Sequence, residues 1–158
     1  MATQAQYDFF KDLYEEENAR AQSLIDRGKI YLSIVSLFFG GVFLKLDWAI
    51  DHRNEIERGF GFYVIGTASF LIALVLVCLA LQVLSYEALT DPEELIVQIS
   101  GEQAADAEFR AARIADYTVA SMRNSHQNDR RAVYLQVSLA LIIVGTVLFC
   151  TGMALILI

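Results

Sequence analysis

The chain has 158 residues and is poor in the residue types that build disulfide-rich or metal-binding domains, with two cysteines, two histidines and one proline. Cys78 and Cys150 lie deep inside two separate apolar stretches, and no CxxC motif or cysteine–histidine group is present. A disulfide-stabilised secreted scaffold is therefore excluded. The same scarcity argues against a zinc or redox centre. We predict no metal site and no cofactor.

Basic residues are also scarce. Lysine and arginine total 12 against 19 acidic residues, which gives a net charge of −7 and a pI of about 4.7. Nucleic-acid binders neutralise phosphates with clustered lysine and arginine side chains. This composition excludes nucleic acid as a partner.

No group of residues has the spacing of a catalytic site. The sequence lacks a glycine-rich phosphate loop and a nucleophile elbow. His52 and His126 fall in segments that we assign below to opposite sides of a membrane. The carboxylates are mixed with basic residues in the manner of a solvated helix face. We predict no catalytic residues and no enzymatic activity.

Apolar residues dominate the composition, at 56% against 20% charged residues and a mean hydropathy of +0.43. Three stretches carry no charge: residues 30–44, 59–86 and 132–158. The last two exceed the ~20 residues that a membrane-spanning helix needs. The first reaches that length if Lys45 extends its side chain to the lipid head groups. We predict three transmembrane helices.

The distribution of basic residues predicts the orientation. Four lie before the first span and five between the second and third, whereas the linker between the first two spans has three, mixed with four acids. By the positive-inside rule, the amino terminus and the long second loop face the cytoplasm. Tyr31, Tyr86 and Tyr134 then lie at the inner membrane interface and Trp48 at the outer one, as aromatic residues prefer.

Residues 4–29 are rich in helix-forming types and predict a helix that continues into the first span, from about residue 5 to 45. Thr90 and Pro92 have the pattern of a helix start, and a longer helix is expected over 102–122, with 123–129 either a turn or polar helix. The predicted fold is an all-α membrane protein with three transmembrane helices and a cytoplasmic helical layer. Its parts are 1–29 cytoplasmic, 30–86 a two-span hairpin, 87–130 cytoplasmic and 131–158 the third span.

Small residues recur at seven-residue spacing within the spans. They include Ser33 and Gly40 in the first, Gly66 and Ala73 in the second, and Gly145 and Gly152 in the third; Gly59 and Ala80 continue the second face and Ser138 the third. Such faces permit close helix approach in lipid. They indicate either packing within one protomer or contact between copies. Because three helices do not enclose a pathway, an oligomeric pore requires a ring of protomers.

The polar residues within the spans are serine, threonine and glutamine, without an ionisable side chain at mid-membrane. Ion-coupled transporters normally carry one there. The pattern argues against coupled transport and is compatible with a channel.

Arg110, Arg113 and Arg123 are candidate ligand-binding residues in the second loop. Guanidinium groups suit the recognition of phosphate. Positive-inside topology and pairing with nearby acids explain the same arginines without any ligand. Both interpretations remain open at this point.

The segment ENARAQSLIDRGKIYLSI, residues 17–34, resembles the segment that leads into the first span of small bacterial membrane effectors of anti-phage defence. These are the Pycsar- and CBASS-type transmembrane effectors, including the SLATT group. The order of parts, with a cytoplasmic helix, a two-span hairpin and further cytoplasmic helices, is also similar to that class.

The resemblance implies an effector in the bacterial inner membrane that responds to a nucleotide second messenger made by a partner synthase. Assembly or opening of a homo-oligomeric channel or pore would then compromise the membrane. Arg110, Arg113 and Arg123 would contact the nucleotide. The alternative is a non-conducting anchor or accessory subunit whose cytoplasmic stripe, Tyr7, Phe10, Leu13 and Tyr14, recruits a protein partner.

Overall fold

A computed structural model describes residues 3–44, 57–82 and 105–157 and is helical in these ranges apart from Thr3 and Gln82. The helices are α1, Gln4–Leu44; α2, Glu57–Leu81; and α3, Ala105–Leu157. The prediction of an all-helical chain is confirmed. The helix start predicted at Thr90 and Pro92, and the membrane role of Lys45, lie outside the described residues.

Helix α3 is 53 residues long and includes the polar stretch 123–129, for which the sequence left turn and helix open. The hydroxyl groups of α3 do not interrupt it, because they donate to the carbonyl oxygens one turn earlier. Thr118 Oγ1 donates to Ile114 O and Thr146 Oγ1 to Ile142 O, each at 2.7 Å. These bonds satisfy the side chains within the helix itself.

Two helices are long and apolar enough to cross a membrane, over Gly59–Leu81 and Ala107–Leu155. Only 33% and 22% of their most apolar stretches are buried. An apolar helix in the core of a soluble protein is mostly buried, whereas here most of each apolar stretch is exposed. Large exposed apolar surface is the mark of a membrane or partner interface, so the arrangement is consistent with a membrane protein. Within the described residues, α1 has no stretch that reaches the same length and hydropathy.

The chain divides into two compact units. Unit 1 contains Met1–Ser23 and Val83–Arg130, and unit 2 contains Leu24–Gln82 and Arg131–Ile158. Helices α1 and α3 contribute residues to both.

Unit 2 is a bundle of three helices whose buried positions lie three, four or seven residues apart. The buried positions include 28, 35 and 42 of α1; 59, 63, 66, 70, 73, 77 and 80 of α2; and 131, 135, 138, 142, 145 and 152 of α3. Alternation of three and four is the heptad repeat of coiled coils, in which side chains of one helix insert between those of another. The same repeat therefore organises all three helices of this unit.

Aromatic rings fill the middle of unit 2. Phe38 of α1 stacks on Phe70 of α2 with ring centroids 3.6 Å apart, and Phe149 of α3 meets Phe38 edge to face at 4.7 Å. Gly145 makes room for this cluster, because a Cβ atom there would lie 2.9 Å from the Phe70 ring. The absence of a side chain at one position thus allows a large one opposite.

Backbone contact between α2 and α3 is close at two further glycines. A Cβ atom on Gly66 would lie 3.0 Å from both Gly145 O and Phe149 N, and one on Gly152 would lie 2.9 Å from Tyr63 N. Backbone atoms cannot swing away as a flexible side chain does. Larger residues at these two glycines would therefore push the helices apart.

Candidate functional site

The candidate site lies in unit 1, where α1 and α3 pack through a heptad pattern that is half polar. The positions at the seam are Tyr7, Phe10, Tyr14, Glu17 and Ala21 of α1, and Tyr117, Ser121, Asn124 and Asn128 of α3. Aromatic residues occupy one end of the seam and polar residues the other. Burial of polar groups costs free energy unless they are hydrogen-bonded, so the polar end is the part of unit 1 that packing alone does not explain.

Tyr117 anchors the aromatic end of the seam. Its ring contacts those of Tyr7 and Tyr14, with centroid distances of 5.8 and 5.6 Å. Burial raises the pKa of Tyr117 to about 12, with a smaller contribution from its hydrogen bond to Tyr7. Tyr7 and Tyr14, two of the four residues predicted to recruit a protein partner, thus contact Tyr117 of the same chain.

We predict that unit 1 loses stability as the pH rises from about 10 to about 12. The unfolded tyrosine ionises near pH 10, whereas the folded one resists ionisation, so the stabilisation is complete below pH 10 and disappears through pH 12. The loss is on the order of 2 kcal/mol. Chemical denaturation followed at several alkaline pH values measures it, and Tyr117→Phe should remove this part of the pH dependence. An equal decline in both proteins would contradict the assignment to Tyr117.

Glu17 and Asn128 form the centre of the polar end. Asn128 is fully buried, and its Nδ2 donates to the backbone oxygen of Glu17 at 2.9 Å and to Glu17 Oε2 at 2.8 Å. Hydrogen bonds to a carboxylate are stronger than those between neutral groups. One amide side chain therefore links α3 to both the backbone and the side chain of α1.

Arg20 closes the polar end toward solvent. Its Nη2 donates to Asp129 Oδ1 at 2.6 Å, and its Nη1 lies 3.6 Å from Glu17 Oε1. The hydrogen bond to Asp129 raises the pKa of Arg20 above its ordinary value. Both partners in the Asp129 pair are solvent-exposed, and exposed ion pairs contribute little to stability. The ion pair with Asp129 therefore orients the Arg20 side chain between Glu17 and Asp129 but adds little to the stability of the helix contact.

A surface pocket of about 390 Å³ adjoins this cluster. Its lining residues are Leu13, Glu17, Ser121, Met122, Ser125, His126 and Asp129. Two of them are carboxylates and none is lysine or arginine. The lining of this pocket therefore offers a phosphate no guanidinium or ammonium group.

The three predicted ligand-binding arginines are not brought together in one chain. Arg113 is 5% exposed, and its Nη1 lies 3.7 Å from Asp116 Oδ2. Its guanidinium carbon lies 5.7 Å from the centroid of the Phe109 ring. Arg110 lies at hydrogen-bond distance from Gln4 Oε1, at 3.5 Å, and Arg123 is exposed. Ten to thirteen residues of helix separate Arg123 from the other two, about 15–20 Å. A single small anion does not span that distance.

The structure brings together four of the six predicted packing or pore residues. Gly66, Ala73, Gly145 and Gly152 lie at the α2–α3 contact, where Ser138 Oγ also approaches Ala73 O at 3.4 Å.

The other two residues, Ser33 and Gly40 of α1, are exposed, and a Cβ atom on Gly40 would meet nothing within 4 Å. They pack against no other helix of the described chain. The inward face of α1 carries Gly28, Val35 and Val42 instead.

Sequence reasoning missed the polar cluster of Glu17, Arg20, Asn128 and Asp129. The signal was present: positions 117, 121, 124 and 128 alternate at four and three residues, and the last three are polar. The sequence interpretation treated this stretch as solvated because its composition is hydrophilic. A heptad count carried from the third span back into 117–128 would have placed Asn124 and Asn128 inside.

Among the residues that the structure describes, no group of three or more histidine, cysteine, aspartate or glutamate side chains is arranged to hold a metal ion. Comparison of the chain with models of protein families, with curated proteins and with solved structures finds no match.

Proposed function

We propose that copies of this chain assemble in the bacterial inner membrane, with the amino terminus cytoplasmic, into a homo-oligomeric channel or pore whose pathway is lined by α1. The observation that carries the proposal is the difference between the outward faces of α1 and α2 in unit 2. Every exposed position of α2 from Phe60 to Leu79 is apolar or glycine. The outward face of α1 carries exposed Ile30, Ile34 and Leu37 and, beside them, a stripe of charged, hydroxyl and glycine residues at spacings of three and four: Asp26, Lys29, Ser33, Ser36 and Gly40.

A lipid-facing helix gains nothing from such a stripe, whereas a pore-lining helix requires it, because water and ions need polar or small side chains. Ser33 Oγ donates to Lys29 O at 2.9 Å, and Asp26 pairs with Lys29 at 3.1 Å. The hydroxyl oxygen still has lone pairs for water. In this arrangement the part of α1 after residue 29 also crosses the membrane, as the first span, and its modest hydropathy reflects the wall of a pathway.

The test is ion flux from liposomes that contain the purified chain. Ser33→Leu with Ser36→Leu should abolish flux, because bulky apolar side chains would dewet and narrow the pathway. Ala68→Leu is the matched control, since it adds the same side chain at an exposed position of α2 and should leave flux unchanged. Equal flux in both variants would contradict pore lining by α1. A wild-type chain that inserts and conducts nothing, both without and with added cyclic and linear nucleotides, would contradict the channel.

Gating by a nucleotide second messenger, as part of anti-phage defence, remains part of the proposal. Because the accessible Arg123 lies far from Arg110 along α3, a nucleotide would bind between adjacent copies rather than within one. Arg123→Glu should then abolish any stimulation of flux by added cyclic or linear nucleotides and preserve assembly. The buried Arg113 is unsuitable for this test, since its replacement would disturb its pairing with Asp116.

The second candidate is a non-conducting membrane anchor that recruits a cytoplasmic protein. It is favoured by exposed apolar side chains in unit 1, above all Phe9 at 62% and Met122 at 70%. Exposed large apolar groups are common at interaction surfaces. Flux separates the two candidates directly, since an anchor binds its partner and conducts nothing.

A further inference from the structure

Lys29 is the last charged residue of α1 before an uncharged stretch that runs to Leu44. Its side chain is 64% exposed. Asp26 lies one helical turn earlier, with its Oδ1 3.1 Å from Lys29 Nζ. The backbone of Asp26 is therefore about 4.5 Å further from the uncharged stretch than that of Lys29. An ion that enters along α1 from the amino-terminal side passes Lys29 last.

The position of Lys29 around the axis of α1 matches that of the small and hydroxyl residues of the stripe. At 100° per residue, Lys29 lies within about 40° of Ser33, Ser36 and Gly40. Arg27 lies about 160° from Lys29. All five residues are exposed. The Lys29 side chain is thus in line with the residues of the proposed pathway, whereas the Arg27 side chain is on another side of α1.

Arg131 lies inside the bundle of unit 2. It is 4% exposed, and its Nη2 donates to Gln82 O at 3.4 Å, just after the end of α2. A guanidinium group in this position does not reach the outward face of α1. Among the residues that the structure describes in unit 2, Lys29 is therefore the only basic residue on the stripe.

The ion pair with Asp26 does not cancel the charge of Lys29. Both partners are solvent-exposed, and such pairs contribute little free energy. The flexible stem of a lysine side chain allows the ammonium group to turn from Asp26 toward a passing ion. The Asp26 carboxylate is also nearer to bulk water, which weakens the field of a charge more strongly. The positive charge therefore prevails where the uncharged stretch begins.

We propose that the pathway along α1 conducts small inorganic anions in preference to cations, and that a ring of Lys29 side chains, one from each copy, makes the selection. The inference rests on the proposed function and deepens it by naming the class of ion. Rings of lysine or arginine select anions in pores, as rings of aspartate or glutamate select cations. In a ring of identical subunits the fields of these charges add at the axis.

Reversal potentials of the full chain in planar bilayers, measured under a gradient of potassium chloride, test the selection. The wild-type chain should be more permeable to chloride than to potassium. Lys29→Glu should lower the ratio of chloride to potassium permeability by at least roughly fivefold, the effect of one unit charge about 4 Å from an ion in water. Lys29→Arg keeps the charge and should keep the preference for chloride.

Arg27→Glu is the matched control. It makes the same change of charge two residues away, at an exposed position on another side of α1. The permeability ratio should stay close to that of the wild type. If the basic residues at this end of α1 served only to bind lipid head groups, Lys29→Glu and Arg27→Glu would shift the ratio equally.

A wild-type preference for chloride that Lys29→Glu removes and Arg27→Glu retains would support the Lys29 ring. Lys29→Gln decides the case if Lys29→Glu does not insert, because it removes the charge without adding a carboxylate. A wild-type channel that prefers potassium, or equal shifts in the position-27 and position-29 variants, would overturn the selection and leave the channel standing. No conduction of either ion, without and with added cyclic and linear nucleotides, would overturn both proposals.

Discussion

Replacement of Gly66 by leucine is expected to destabilise the packing of α2 against α3 by about 3 kcal/mol, the upper part of the range for overpacked cores. The Cβ atom alone would lie 3.0 Å from Gly145 O and from Phe149 N. Both are backbone atoms, so a rotamer change does not relieve the clash. The two helices must separate, and the contacts around the Phe70 ring loosen with them.

The unfolding temperature in detergent measures this effect. A loss of about 3 kcal/mol corresponds to a decrease of roughly 6–12 °C for a chain of this size. Gly61→Leu is the matched control, because it adds the same side chain to the same helix at a position with open space around Cβ. It should leave the unfolding temperature within a degree or two or raise it slightly, since leucine is the better helix former. Equal decreases in both variants would contradict tight packing at Gly66.

Asn128→Leu is expected to destabilise unit 1 by about 2–3 kcal/mol. The variant removes the 2.9 and 2.8 Å hydrogen bonds to Glu17 and leaves its largely buried carboxylate without that donor. Within the described residues, the carboxylate then keeps only its ion pair with Arg20 at 3.6 Å. The loss of a donor to a buried charged acceptor costs more than the loss of a neutral hydrogen bond. Hydrogen exchange of the backbone amides of α3 in unit 1 should become faster, because the free energy of their opening decreases by a comparable amount. The exchange rates of amides around Ile142 in unit 2 should change little.

A double-mutant cycle assigns the effect to Glu17. In a Glu17→Leu background the carboxylate is absent. Asn128→Leu should then reduce the free energy of unfolding of unit 1 by about 1 kcal/mol less than it does in the wild-type chain. Additive effects of the two substitutions would mean that the amide stabilises unit 1 without the carboxylate. Glu17→Gln keeps an acceptor oxygen, so its loss of unfolding free energy should lie between zero and that of Glu17→Leu.

The spans illustrate how far periodicity alone reaches. Seven-residue spacing of small residues selects Gly66 and Ala73 in one span and Gly145 and Gly152 in another, and these four lie at the α2–α3 contact. The same spacing selects Ser33 and Gly40, which lie on the outside of α1. A repeat specifies the distance between residues of a face but not which face turns inward. Five residues separate Gly28 from Ser33, and that offset turns the face by about 140°.

The arginines show a second limit. Arg113 has the same local sequence signal as Arg110, since each lies one turn from an acid on a helix. Only the packing of unit 1 buries Arg113 beside Asp116 and Phe109 and leaves Arg123 exposed. Burial depends on which elements meet, and a linear pattern of charges does not contain that information.

The sequence by itself determined that the chain is all-helical, that two of its helices are apolar enough to cross a membrane, and which small residues share a helix face. These properties follow from local composition and from the fixed 100° turn per residue. Only the tertiary structure decided that the hydrophilic stretch around Asn128 is a buried hydrogen-bonded seam and that the polar stripe of α1 faces outward. Both depend on the rotation of one helix against another, which is set by all the side chains at the contact together.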